Sequence, residues 1–242
     1  MRITNVSIFL RSIMQSRLES EFKGVETELS KFNPNNLDHS ELANFIKKNN
    51  LSQSEIVTLF LALIPHTSPG FLNSIIAEYL PNGGEFPEFG GVKGKNHRGI
   101  LPTGETVLYI LAGTDIEKRI EVSKLFDENH LFARKNVLYI DQVPTGEPKM
   151  SGRLILDEEY VDLFTLGKVS KPKLSNDFPA QRITTELEWS DLVLQQKTLD
   201  EIYEIETWLK YNEKLLADWQ MEGKIKPVTV SFFMGRLEPE KQ

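Results

Sequence analysis

Six glycines crowd into one short stretch of this chain: Gly83, Gly84, Gly90, Gly91, Gly94 and Gly99 all lie within residues 81–99, among few apolar side chains. Glycine loses more backbone freedom on folding than any other residue, so a run of this kind predicts a loop and not a helix or strand interior. It also sets the first expected domain boundary, after residue 82. The pattern changes across it, from helical periodicity throughout to helices followed by a hairpin.

Before the loop, residues 6–31 are rich in helix formers, with apolar positions at Ile8, Ile13, Leu18, Phe22, Val25 and Leu29. The charged stretch from Arg17 to Lys31 reads as one helix with an exposed face. Asn33-Pro34-Asn35-Asn36 ends it, and Asp38 or Ser40 can cap a second helix through Leu42, Phe45 and Ile46. Ser52-Gln53-Ser54-Glu55 has capping-box spacing, in which each side chain satisfies a free backbone amide. It opens an apolar helix over residues 56–64, with Pro65 as the expected stop. Pro69-Gly70 starts another through Phe71, Leu72, Ile75, Ile76 and Leu80.

After the loop, Pro102-Thr103-Gly104-Glu105 starts a helix that buries Val107, Leu108, Ile110 and Leu111 and ends at Gly113. Thr114-Asp115 caps the next, with Ile116, Ile120, Val122, Leu125 and Phe126 as its expected apolar face. Residues 137–140 and 153–156 read as two strands joined by the turn Pro144-Thr145-Gly146-Glu147-Pro148, and Asp157 caps a short helix over residues 158–166. Residues 171–188 read as a linker, and helical spacing resumes after Trp189. Residues 228–234 alternate as a short strand, with Val228, Val230 and Phe232 on one side.

Composition narrows the chemistry. The 242 residues carry a net charge of −7 and no Cys, so disulfides and thiolate metal sites are excluded, and the chain as a whole offers no positive footprint for nucleic acid. No apolar run has bilayer-spanning length, and the patch at residues 6–10 is too short for a secretory core. The expected location is cytoplasmic. Gly90-Gly91-Val92-Lys93-Gly94-Lys95-Asn96 imitates a phosphate-binding loop, but the glycine spacing is short and Asn96 stands where a Ser or Thr hydroxyl is needed. His39, His66, His97 and His130 show no helical ligand spacing. Asp157, Glu158, Glu159 and Asp162 fit helix-start carboxylates without any further chemistry. Trp189, Trp208 and Trp219 are expected to pack. No catalytic, cofactor-binding or metal-binding residue is assigned. The basic residues Lys93, Lys95, His97 and Arg98, with Arg134, Lys135, Lys149 and Arg153, are the best case for nucleic acid. Glu85, Glu88, Asp127 and Glu128 are mixed among them, which favours a protein contact.

Two helices followed by a hairpin is the order of a winged helix. The Gly-rich lead, Leu101-Pro102-Thr103-Gly104-Glu105-Thr106, Asn136-Val137-Leu138 and Gly152-Arg153-Leu154 with Leu156 resemble the variant winged-helix domain found upstream of the ATPase module in a group of bacterial AAA proteins. Ser190-Asp191-Leu192-Val193-Leu194, Thr198 and the Trp208-Leu209 helix resemble the approach to that module, as does Gly223-Lys224-Ile225-Lys226-Pro227. In that family such a Lys-Pro is followed by a peptide such as GYRVLFYGPPGTGKT, and here by VTVSFFMGRLEPEKQ. Suitable codons for the family peptide, with the first base deleted, spell the peptide seen here. The first base of each shifted codon is the second base of a family codon, which the family residue fixes.

The resemblance implies a mainly α chain with a small α+β winged-helix module: a helical region at 1–82, a winged-helix-like domain at 83–170, a linker at 171–188 and the start of an AAA module at 189–242. It implies the regulatory or partner-recognition part of an ATPase that remodels proteins, with the reading frame lost at the P-loop. The intact relative would use ATP and Mg and form a ring oligomer. This chain, without the P-loop and the acidic magnesium-binding motif, is expected to hold no cofactor and to be inactive. Its expected partner is another protein or the ATPase core itself. A stand-alone winged-helix DNA-binding protein is the competing reading, and an adaptor built on the first helices is a third.

Overall fold

Ser52 and Glu55 close the capping box that their spacing predicts: Glu55 N–H donates to Ser52 Oγ at 3.3 Å, and Ser52 N–H donates to Glu55 Oε2 at 2.7 Å. The computed structural model describes residues 3–24, 30–37, 40–84, 86–169, 186, 188 and 193–219. Residues 1–180 and 181–242 form two compact units. The described residues are mainly helical, with two small antiparallel sheets.

In the first unit, α1 (Ile3–Lys23), α2 (Glu41–Lys48), α3 (Gln53–Thr67) and α4 (Phe71–Tyr79) come first. Every residue of α3 from Ile56 to Ile64 is buried, so this helix is apolar on all sides and sits at the centre. Its one interior hydroxyl, on Thr58, donates to the Ser54 carbonyl at 2.8 Å. Pro65 does not stop α3 as expected. The helix runs on to Thr67, and Ser68 N–H closes it on the Ile64 carbonyl at 2.8 Å. A proline this near the end removes one hydrogen bond of a ladder that is about to finish.

The face of α1 is corrected. Val6, Leu10, Ile13, Met14 and Leu18 are buried, whereas Ile8 is 62% and Phe22 45% exposed. The helix begins earlier than its charged stretch and ends at Gly24, whose φ of +64° and N–H bond to the Ser20 carbonyl form a left-handed terminus. It therefore does not reach Lys31; Val25 and Leu29 lie outside the described residues. Ser40, not Asp38, is the cap seen on α2, accepting from Ala43 N–H at 3.2 Å.

Strand β1 (Val92–Lys93) forms inside the Gly-rich stretch expected to be all loop, pairing with β2 (Ile100–Leu101) just after it. Then come α5 (Gly104–Ala112), α6 (Ile116–Ser123), α7 (Leu131–Arg134), β3 (Leu138–Ile140), β4 (Leu154–Leu156) and α8 (Glu158–Leu166). The expected caps are present: Thr103 on α5, Asp115 on α6 and Asp157 on α8. The expected hairpin forms with Tyr139 opposite Ile155. On the other edge of β4, Leu154 N–H donates to the Pro102 carbonyl at 2.8 Å and Gly104 N–H to the Gly152 carbonyl at 3.1 Å. The segment leading into α5 thus runs antiparallel beside β4, through the Thr103–Arg153 bridge.

One buried cluster joins these parts. Leu10 of α1, Phe60 of α3, Ile110 of α5, Leu156 of β4 and Phe164 of α8 all belong to it, so the core continues across residue 82. The apolar face expected on α6 divides. Val122 and Phe126 are half-buried against the core, but Ile116 is 73% and Ile120 60% exposed. Arg119 sets this roll by donating to the Gly113 carbonyl at 2.9 Å and pairing with Glu105 of α5.

In the second unit, α9 (Gln196–Asp218) provides the helix expected around Ile202, Ile205 and Trp208. Trp208 is half-buried, but Trp219 is 67% exposed and does not pack as expected. Trp189 and the strand expected at 228–234 lie outside the described residues. Among the described residues, no single helix is long and apolar enough to cross a membrane.

Candidate interaction groove and helix face

Glycines shape the first site. Gly90 (φ +68°) and Gly91 (φ +87°) turn the chain into β1, where Gly91 N–H donates to Thr103 Oγ1 at 3.1 Å. A Cβ on Gly90 would stand 2.7 Å from both Thr103 Oγ1 and the Glu105 Cβ. Gly90 is required by close packing on the start of α5 and Gly91 by close packing on Ile100, and both by left-handed backbone. The likeness to a phosphate loop therefore has a structural cause.

The β1–β2 hairpin and the β3–β4 connection enclose a groove of about 660 Å³. Lys93, Lys95, His97 and Arg153 line it, so the fold gathers four of the eight basic positions singled out from sequence. Arg98, Arg134, Lys135 and Lys149 do not line it. Lys135 instead donates to Asn49 Oδ1 at 2.6 Å.

The gathered cations differ in how far they are compensated. Arg153 donates through Nε and Nη2 to Asp141 Oδ2 at 3.0 and 2.6 Å, which neutralises it across the base of the β3–β4 connection. Lys93 and Lys95 are exposed and have no carboxylate partner among the described residues. His97 Nε2 is buried with no hydrogen-bond partner among the described residues. Burial, and after it the nearby His97, push the His66 imidazole below its ordinary range. Asp141 and Glu147 also line the groove. Sequence reasoning missed them, although both are carboxylates in the connection between two recognised strands.

The remaining titratable residues have structural posts. His130 caps α7, accepting from Phe132 N–H at 3.2 Å through Nδ1, and its Nε2 lies 3.1 Å from Glu55 Oε1. It thereby ties α7 to the start of α3. His39 lies outside the described residues. Asp157 accepts from Glu159 N–H at 2.9 Å, as a helix-start carboxylate should. Among the described residues, no group of three or more His, Asp or Glu side chains could hold a metal ion.

The second site is the outer face of α6. Ile116 and Ile120 are one helical turn apart and therefore share a side, flanked by the exposed Glu117 and Glu121. The only basic residues inside α6 are Lys118, which pairs with Asp115 at 3.4 Å, and the engaged Arg119.

Tyr109 is a third unusual group. Its ring is fully buried against Phe86 and Phe89, but its hydroxyl has no partner among the described residues, and burial pushes its pKa far up. An unpaired buried hydroxyl costs free energy that its removal recovers. Tyr109→Phe is expected to raise stability by about 1 kcal/mol, seen as a rise in melting temperature of roughly 2–4 °C.

No protein-family model, curated protein or solved structure matches this chain.

Proposed function

We propose that this chain is a protein-recognition region related to the front part of an AAA-type ATPase, with a winged-helix module whose α6 faces a protein partner or the ATPase core. The observation that carries the reading is the outer face of α6: two exposed isoleucines beside two glutamates. A helix lying against phosphate backbones needs clustered positive charge, and this face offers apolar surface and carboxylates. The run of segment 102–104, α5, α6, the short α7, β3 and β4 supports the winged-helix assignment, because 102–104 and β3 flank β4 on its two edges. The ATPase relationship rests on the sequence resemblance over residues 83–227 and on the shifted-frame reading of residues 228–242.

Two measurements test this function. The coding DNA across codons 228–242, read in the other frame, is expected to spell a P-loop. The 242-residue chain is expected to show no ATPase activity, and the frame-restored protein a measurable one. A missing P-loop would end the ATPase assignment, and ATP hydrolysis by the 242-residue chain would end the reading that this chain is inactive without a P-loop. Because the 242 residues contain no Cys, Ile116→Cys is their one dye site. With any Cys encoded in the restored frame replaced by Ser, an environment-sensitive dye there should shift to the blue in the frame-restored protein if α6 docks on the core. Salt-sensitive binding of duplex DNA that is lost on charge reversal of α6 would instead establish the DNA-binding reading.

A further inference from the structure

We infer that the groove between the β1–β2 hairpin and the β3–β4 connection binds an extended acidic peptide segment, with Lys93 and Lys95 reading its carboxylates. The inference concerns a different surface from α6 and does not depend on the ATPase relationship.

Two observations converge on it. The groove has the size of an ordinary ligand site, about 660 Å³. Its walls are fixed by packing: a Cβ on Gly152 would strike the Asp141 carbonyl oxygen, and one on Gly94 would come within 3.1 Å of His97 Cβ. The groove therefore exists before any ligand arrives, which limits the ordering cost of binding.

Charge supplies the second observation. This chain is acidic overall, yet Lys93 and Lys95 face the groove without a carboxylate partner among the described residues, while Arg153 beside them is already neutralised by Asp141.

The two lysines without carboxylate partners among the described residues select the ligand. Lys93 ends β1 and Lys95 lies in the bend after it, and both line the groove. An extended peptide with acidic residues at alternate positions projects its carboxylates to one side at roughly 7 Å spacing, so one face of the peptide can meet both cations. Val92, Leu101, Val143 and Pro144 give the intervening residues an apolar floor. Glu147 at the rim disfavours a uniformly anionic polymer such as a nucleic acid.

A short fluorescein-labelled peptide of alternating Glu and Thr tests this by fluorescence anisotropy at low salt, with the intact chain. Lys93→Gln combined with Lys95→Gln is expected to weaken binding at least about tenfold, because both charge-assisted contacts are lost. Arg98→Gln, which removes a nearby cation that does not line the groove, should change affinity less than about twofold. Glu147→Gln should strengthen binding. Equal losses from Arg98→Gln and the lysine pair would reduce the effect to general electrostatics and overturn the proposal. So would absence of peptide binding, or tighter lysine-dependent binding of duplex DNA than of peptide. Both lysines are exposed, so an unchanged melting temperature confirms that the variants fold. Ile116→Glu with Ile120→Glu should leave peptide affinity unchanged, which separates failure at the groove from failure of the α6 reading.

Discussion

Gly152→Ala is expected to destabilise the protein by about 3 kcal/mol, near the upper end of the usual overpacking cost. Backbone strain is not the reason, since Gly152 has φ −64° and ψ 149°, which alanine adopts readily. The added methyl would strike the Asp141 carbonyl oxygen and stand 2.7 Å from Ile140 Cγ2. That carbonyl belongs to the backbone of the β3–β4 connection and cannot swing aside as a side chain can. Displacing it would also strain the Gly104 N–H bond to the Gly152 carbonyl, which anchors α5 beside β4. A fall in melting temperature of roughly 6–12 °C is the expected reading for a unit of this size. Gly70→Ala is the control: nothing lies within 4 Å of its added Cβ, and its melting temperature should move little. Equal effects of the two substitutions would show that close approach is not what holds glycine at 152.

Phe60→Ala should cost more, about 3–5 kcal/mol. Phe60 is fully buried in the middle of α3, with its ring edge-on to Phe32 at 4.9 Å and to Phe9 at 6.1 Å. Truncation removes burial of the ring and leaves a cavity walled by α1, α3 and the segment at Phe32, which cannot all close on it. A typical domain is stable by only about 5–15 kcal/mol, so this one change removes a large share of the total. Urea unfolding should show a lower midpoint with an unchanged slope. Phe60→Leu keeps most of the volume and should cost about 1–2 kcal/mol. If Phe60→Ala left the midpoint within error of the parent chain, the three-ring contact would not be a principal element of the core.

These two positions differ in how they can be recognised. Phe60 lies in an unbroken apolar run behind a capping box, so its burial is legible from local sequence. The demand for glycine at 152 is not, because it arises from a carbonyl eleven residues earlier that only the hairpin brings near. The same division separates the two candidate sites. Lys93, Lys95 and Arg153 stand out as basic residues in sequence, but their gathering depends on two hairpins meeting, and the neutralisation of Arg153 by Asp141 depends on strand pairing. Ile116 and Ile120 sit at helical spacing, which ordinarily marks a buried face. The long-range pair between Arg119 and Glu105 turns them outward.

Sequence alone located β3 and β4 by their apolar and β-branched content, and it determined the features decided within one turn of chain: the caps at Ser52, Asp115 and Asp157 and the apolar run of α3. Those depend on hydrogen bonds and periodicities between near neighbours, which residue order specifies directly. Only the tertiary structure decided that the Gly-rich stretch contributes β1 to pair with β2, that one core continues across residue 82, and which face of α1 and of α6 is buried. Those outcomes depend on partners distant in the chain, and periodicity shows that a helix has a face without showing what lies against it.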